Sequence, residues 1–211
     1  MKIAILQTNL GNFDKPKPIE QGLAFDHHLF TDENFSPRTK SMTPRLQAKI
    51  PKCFGWQLVP DYDYYLWIDG NISLRPDALE FFQKNCEDVV VFQHPQRNTI
   101  YWEYRYNYRG LHNNAPSNYL TKRYTNELLD EQYEVIKNDP DYKDDLLVLG
   151  GLFMYRNTVQ VQEMLKEWWY NMSRYCVSDQ LAWAYVLKKS GLRVKVLPDI
   201  EEWADIGRHK K

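Results

Sequence analysis

Short apolar runs, each closed by turn-forming residues, alternate along the chain with stretches whose apolar positions recur every three or four residues. Residues 2–6, 64–68 and 89–92 read as buried strands, each a mostly apolar or aromatic run too short for a helix, and residues 24–30 and 192–197 read as two further strands. Residues 146–155 read as a strand-turn-strand through Gly150–Gly151. The helical period predicts helices over 44–53, 76–85 and 159–172, and a further one with Leu128, Leu129, Tyr133 and Ile136 on one face. Ser178, a good N-cap, opens a last helix that runs to residue 189 and is ended by Gly191.

Strands alternating with helices predict an α/β fold with a mostly parallel sheet covered by helices. In such sheets ligands bind beyond the carboxyl ends of the strands. Three polar clusters fall at those ends: Asn9–Gly11, Asp69–Asn71 and His94. They define one candidate site at one sheet edge.

The length of 211 residues is that of a single domain with a sizeable core, and a formal net charge of -1 excludes a generally basic nucleic-acid or membrane-surface binder. Charge is nevertheless uneven. Residues 93–124 carry five cations (Arg97, Arg105, Arg109, Lys122 and Arg123) against Glu103 alone, and the following twenty-one residues are strongly acidic. Three widely spaced cysteines, Cys53, Cys86 and Cys176, lack metal-ligand spacing and point to a reducing compartment. No apolar run approaches the roughly 20 residues of a membrane span, so the expected location is cytoplasmic, in a bacterium or in the host of a phage.

The segment Tyr64-Tyr65-Leu66-Trp67-Ile68-Asp69-Gly70-Asn71 delivers a carboxylate, a glycine and an amide at the end of a buried strand. That set suits a hard divalent cation bridging a diphosphate, and equally a plain Asp-Gly turn. Arg45 and Lys49 share a helical face at i, i+4, with Lys52 close by, either as a diphosphate cradle or as a solvated basic face. Asp179, just past an N-cap, either complements the helix dipole or presents a general base, a role typically worth about 10²- to 10⁴-fold.

The ordered set of motifs resembles the GT-A glycosyltransferases. It is most similar to a glycosyltransferase-like domain family found in plant Golgi proteins and bacterial polysaccharide clusters. The residues that carry the resemblance are Gly11-Asn12-Phe13-Asp14, Phe30-Thr31-Asp32, the run from Pro44 through Arg45, Lys49 and Pro51 to Lys52, Trp67-Ile68-Asp69-Gly70, His94-Pro95-Gln96-Arg97, Tyr101-Trp102-Glu103, Gly150-Gly151 and Ser178-Asp179-Gln180. The resemblance implies a single GT-A, Rossmann-like domain over 1–211, with 93–145 as an acceptor-side insertion. It implies sugar transfer from a nucleotide-diphosphate sugar to a hydroxyl, with Asp179 contacting the acceptor or acting as base. Because Asp179 offers a base and no second carboxylate is placed as a nucleophile, inversion is the expected outcome. Glu103 is a second catalytic candidate; Glu201, Glu202 and Asp205 are rivals.

The donor site implied comprises Gln7, Thr8, Asn9, Asp14, Arg45, Lys49, Lys52, Asp69, Gly70, Asn71, Gly150 and Gly151. The acceptor site comprises His94, Arg97, Tyr101, Trp102 and Gln180. A Mn or Mg ion would be held by Asp69, Asn71 and His209, although Asn71 stands where the D-x-D pattern has its second Asp; Arg45 and Lys49 are the cationic substitutes. The tyrosine-rich basic stretch suits a glycan acceptor. The alternatives are a phage-type enzyme acting on a hydroxymethylated pyrimidine in DNA, and a non-catalytic module that binds nucleotide sugar or glycan.

Overall fold

The computed structural model describes residues 1–112 and 119–207. Its centre is a mixed six-stranded sheet in the order β2-β1-β3-β6-β5-β7. The strands are β1 (Ile3–Asn9), β2 (Asp26–Thr31), β3 (Tyr64–Ile68), β5 (Val89–Gln93), β6 (Val148–Arg156) and β7 (Val194–Leu197). β1 pairs in parallel with β2 and β3, and β5 with β7, whereas β6 runs antiparallel between β3 and β5. The carboxyl ends of β1, β3 and β5 therefore share one edge with the start of β6.

β3 and most of β5 are buried on both faces, as the continuous apolar runs require. Seven helices flank the sheet among the described residues: α1 (Pro44–Leu58), α2 (Ala78–Lys84), α3 (Ile100–His112), α4 (Tyr119–Tyr124), α5 (Leu129–Lys137), α6 (Val159–Arg174) and α7 (Asp179–Lys189). One face of the sheet carries a large core in which Trp168 stacks on Trp183 at 3.9 Å, and the other a smaller one around Leu79, Phe82 and Phe92. A second small sheet pairs β4 (Ile72–Leu74) with β8 (Ala204–Ile206), bringing the chain's last described segment beside the end of β3. No helix among the described residues is long and apolar enough to cross a membrane.

Three local expectations are corrected. Residues 146–155 hold no turn: Gly150 and Gly151 lie inside the single nine-residue strand β6. α1 does not stop at Cys53 but continues through Pro51 to Leu58, with an irregularity at Phe54. Thr43 caps α1 by accepting from Leu46 N at 3.2 Å, and Pro44 occupies its first turn, where a missing N–H costs nothing. The tyrosine-rich stretch is largely helix α3, whose Tyr104 stacks on Tyr133 of α5 at 4.1 Å and donates to Asp130. Asp144 accepts from Ile100 N and Tyr101 N at the start of α3, so part of the acidic segment caps the basic one.

Candidate active site

A cavity of about 380 Å³ opens at the shared edge, between the ends of β1 and β3 and the first turns of α1. Seven residues of the expected donor site line it: Thr8, Asn9, Asp14, Arg45, Lys49, Asp69 and Gly70. Local chemistry shapes the wall. Asn9 Oδ1 accepts from Asp14 N at 2.9 Å, and the Asp32 carboxylate accepts from Gly11 N at 2.9 Å. The two early motifs thus build one turn, in which Gly11 adopts φ +69. At Gly70 a Cβ would stand 2.9 Å from both Asp14 Oδ2 and the Thr8 carbonyl, so only glycine lets β1 and β3 end this close together.

Lys52 lies beneath the cavity and does not line it; its side chain has no exposure. Its Nζ donates to Asp179 Oδ2 at 2.5 Å and to Asp69 Oδ1 at 3.3 Å, and sits 5.3 Å from the ring centres of Trp67 and Trp168. Lys49 Nζ donates to the same Asp179 oxygen at 2.6 Å. The solvated-face alternative for α1 is thereby overturned: two of its three cations are buried ion-pair partners. Burial alone would raise the Asp179 carboxyl, but the two ammonium groups hold it well below the usual carboxylate range. Burial would lower Lys52, yet Asp179 and Asp69 together carry it above its ordinary value. Lys49 stays lowered, because burial and neighbouring Lys52 outweigh its share of Asp179.

Trp67 Nε1 donates to Asp69 Oδ1 at 2.8 Å, so both hydrogen bonds to this carboxylate among the described residues fall on Oδ1. Gly150 and Gly151 do not line the cavity; they make room behind it. A Cβ at 150 would meet Asp179 Cγ at 3.2 Å, and one at 151 would meet Asp69 Oδ2 at 3.1 Å. Gln7, fully buried, supports from behind by directing Nε2 at the Asp69 carbonyl, 3.4 Å away.

Asn71 faces a neighbouring depression, where Nδ2 donates to the Gly207 carbonyl at 2.8 Å and its own carbonyl accepts from Gly207 N. It clamps the β8 end as much as it offers a ligand oxygen. His209 lies outside the described residues. Among those residues, no three His, Cys, Asp or Glu side chains gather as a metal site.

His94, Arg97 and Glu103 form a second cluster that does not line the cavity. Glu103 is buried; Arg97 Nε donates to its Oε2 at 2.5 Å and Asn107 Nδ2 to its Oε1 at 3.3 Å. Burial pushes the Glu103 carboxyl up despite these partners. Asn107 Nδ2 also reaches Ser178 Oγ at 3.3 Å, which ties the cluster to the start of α7 and hence to Asp179. Tyr101 and Trp102 are exposed on α3, and Gln180 Nε2 is a buried donor without a hydrogen-bond partner among the described residues.

Sequence reasoning missed Asn107 and the cavity-lining role of Arg123, which arrives from α4. Arg123 had been visible only as one charge of a basic stretch. Asn107 had no signal beyond its place four residues after Glu103, one helical turn.

A helix-covered mixed sheet with a cavity at its strand ends, lined by acidic and basic side chains among others, defines an α/β protein whose candidate site lies where such sheets bind ligands. The chain belongs to the TOD1/MUCI70 glycosyltransferase-like domain family, whose model matches residues 39–206. The matched span covers α1, Asp69, Glu103 and Asp179; β1 and β2 precede it. No curated relative matches the chain. Among solved structures, the crystal structure of A197 from STIV matches at 9% identity and a TM-score of 0.40, over 94% of this chain and 82% of that one. A likeness at that level carries no argument.

Proposed function

We propose that the protein transfers a sugar, with inversion, from a nucleoside-diphosphate sugar seated in the 380 Å³ cavity to a hydroxyl of a glycan. The observation that carries this reading is the arrangement around Lys49. This residue lines the cavity with Arg45, opposite Asp69, and at the same time neutralises Asp179. Cations meet the charge that grows on the departing diphosphate, and a carboxylate waits beside them.

In the reaction proposed, the acceptor oxygen bonds to the anomeric carbon and its proton passes to Asp179. The bond from that carbon to the diphosphate oxygen breaks, and the nucleoside diphosphate leaves with the electron pair. Asp179 is preferred to Glu103 as base. Neither carboxylate lines the cavity, but Asp179 is hydrogen-bonded to Lys49, which does, and both of its bonds fall on Oδ2, whereas both Glu103 oxygens are engaged by Arg97 and Asn107. A diphosphate that draws Lys49 toward itself would make Asp179 a stronger base.

The donor set fits a divalent cation only in company. Asp69 presents an unbonded Oδ2 and Asp14 lines the same cavity, but no three acidic, His or Cys side chains gather there among the described residues, so further ligands must come from phosphate oxygens, as Mg²⁺ commonly takes them. When bound, a Mn or Mg ion held by Asp69, with Asn71 beside it, supplies charge neutralisation at the leaving group. Arg45 and Lys49 serve the same end from the opposite wall.

The test is a thermal-shift and turnover screen of nucleotide sugars, with and without Mn²⁺, repeated with oligosaccharides and with hydroxymethylcytosine DNA. Stabilisation by one donor and turnover onto an oligosaccharide supports the reading. Turnover on the modified DNA alone moves the acceptor to DNA. No shift with any donor defeats the reading, and a retained anomeric configuration by NMR defeats inversion.

A further inference from the structure

The cationic end of the cavity is assembled from two elements far apart in the chain. Arg45 and Lys49 stand one turn apart on α1, whereas Arg123 comes from α4, within the 93–145 segment that the family resemblance assigns to the acceptor. Arg45 Nη1 donates to the Arg123 main-chain carbonyl at 2.9 Å, so an α1 cation anchors the α4 terminus at the cavity rim. Both arginines are half-buried and both line the same cavity. Lys49 has its carboxylate in Asp179.

Gathering cations in a part-buried wall costs free energy, which an anion in the cavity returns. Burial first, then the charge of Arg123, lowers the Arg45 pKa, and Arg123 contributes, after burial and Lys52, to lowering that of Lys49. A guanidinium also presents paired donors that match two phosphate oxygens at once, which an ammonium does not.

We infer that Arg123 is a phosphate-binding residue of the donor site, and that Arg45 and Arg123 together select a diphosphate over a single phosphate. The inference rests on the donor-site reading above. It gives the 93–145 segment a donor-side duty: α4 closes the cationic wall that α1 begins. A bare diphosphate meets both guanidinium groups, whereas a monophosphate engages them incompletely.

The experiment is isothermal titration of the full chain with inorganic pyrophosphate, inorganic phosphate and a panel of nucleoside diphosphates and monophosphates at fixed ionic strength. The variants are Arg123→Gln, Arg123→Lys and Arg45→Gln, with Lys122→Gln as the exposed neighbouring control and thermal unfolding to confirm the fold. Loss of one charge-assisted phosphate contact predicts about 10- to 100-fold weaker diphosphate binding in Arg123→Gln. The diphosphate-to-monophosphate preference should shrink with it, a change that a purely structural residue would not cause. Arg123→Lys, which keeps the charge, should fall between wild type and Arg123→Gln and serves if the latter does not fold. Wild-type affinity and preference in a folded Arg123 variant, with loss in Arg45→Gln, overturns the inference and leaves the donor site standing. Absence of any diphosphate binding by the wild type overturns both.

Discussion

The ammonium of Lys52 lies 2.5 Å from Asp179 Oδ2, on a side chain with no exposure, and the same ammonium reaches Asp69 at 3.3 Å. One lysine from α1 thus joins the carboxylate at the end of β3 to the carboxylate at the start of α7. Two indoles flank it, with the ring centres of Trp67 and Trp168 each 5.3 Å from the ammonium. The pair is more than a surface ion bridge, because removing one partner strands a buried charge.

Replacing Lys52 by Met should therefore destabilise the fold, though by less than the roughly 3–5 kcal/mol of breaking an isolated buried pair, because Lys49 still faces Asp179. Urea unfolding at neutral pH measures it. Combining Lys52→Met with Lys49→Met and Asp179→Leu should recover a large part of the loss, since no buried charge is then left without its partner. A Lys52→Met protein within about 1 kcal/mol of wild type would mean that Lys49 alone carries the Asp179 charge.

Gly151 permits the approach of Asp69, and its substitution separates positioning from stability. In Gly151→Ala the added methyl would stand 3.1 Å from Asp69 Oδ2 and 3.0 Å from Ile72 Cδ1, on a backbone that alanine adopts without strain. The crowding turns the Asp69 carboxylate by a few tenths of an ångström or more. Transfer should fall by at least about tenfold, given how steeply misplacement costs rate, while the melting temperature shifts little. Asp69→Ala should lose transfer and stay folded. Unimpaired turnover in either variant, measured with the donor that stabilises the wild type, would remove Asp69 from the site.

These glycines also show where the sequence is legible and where it is not. Apolar runs closed by Asn9–Gly11, Asp69–Asn71 and His94 mark β1, β3 and β5, and the shared edge follows from the parallel sheet. Gly150–Gly151 carries the ordinary signature of a turn. Its real cause, two carboxylates pressing on the strand from elsewhere in the chain, leaves no local trace. Helix α3 is hidden for another reason. Its buried positions are Ile100, Glu103, Asn107 and Gly110, so the helical period is present but three of its four positions are not apolar. The alternating tyrosines on the remaining surface suggest a stripe instead. Lys52 reads as a surface residue in any local window, because its burial depends on acids 17 and 127 positions away.

Asp179 should give the pH-rate profile an unusually acidic lower limb. Burial opposes its ionisation, but Lys49 and Lys52 hold the carboxyl well below its ordinary value, so the base form persists as pH falls. No loss of kcat/KM from this group is expected between pH 8 and about 5. Lys49→Met removes one of the two ammonium groups and raises the Asp179 pKa, which moves the acid limb toward neutral pH. Rate profiles of the two proteins on the same donor check this. An acid limb that does not move in a folded Lys49→Met protein would separate Asp179 from proton transfer, and Asp179→Asn would then retain activity.

His94 makes a stability prediction that is independent of any substrate. Its Nδ1 accepts from the main-chain N–H groups of Gln96 and Arg97, each at 3.1 Å, and the Arg97 guanidinium stands 2.8 Å from Nε2. A proton on Nδ1 would displace two hydrogen bonds and face a fixed cation in a buried place. Burial first, and Arg97 second, push the imidazole down from 6.5 to about 4. Between these values the unfolded chain binds a proton that the native state refuses, so stability rises with pH across the window and is lost on acidification. Going from pH 7 to pH 5 should cost the native state about 2 kcal/mol through this residue alone. Asn at this position keeps an acceptor oxygen for the two N–H groups and does not titrate. The His94→Asn protein should therefore lose about 2 kcal/mol less than wild type between the two pH values in urea unfolding. Equal losses would mean that His94 titrates as an exposed imidazole and that Arg97 does not hold it neutral.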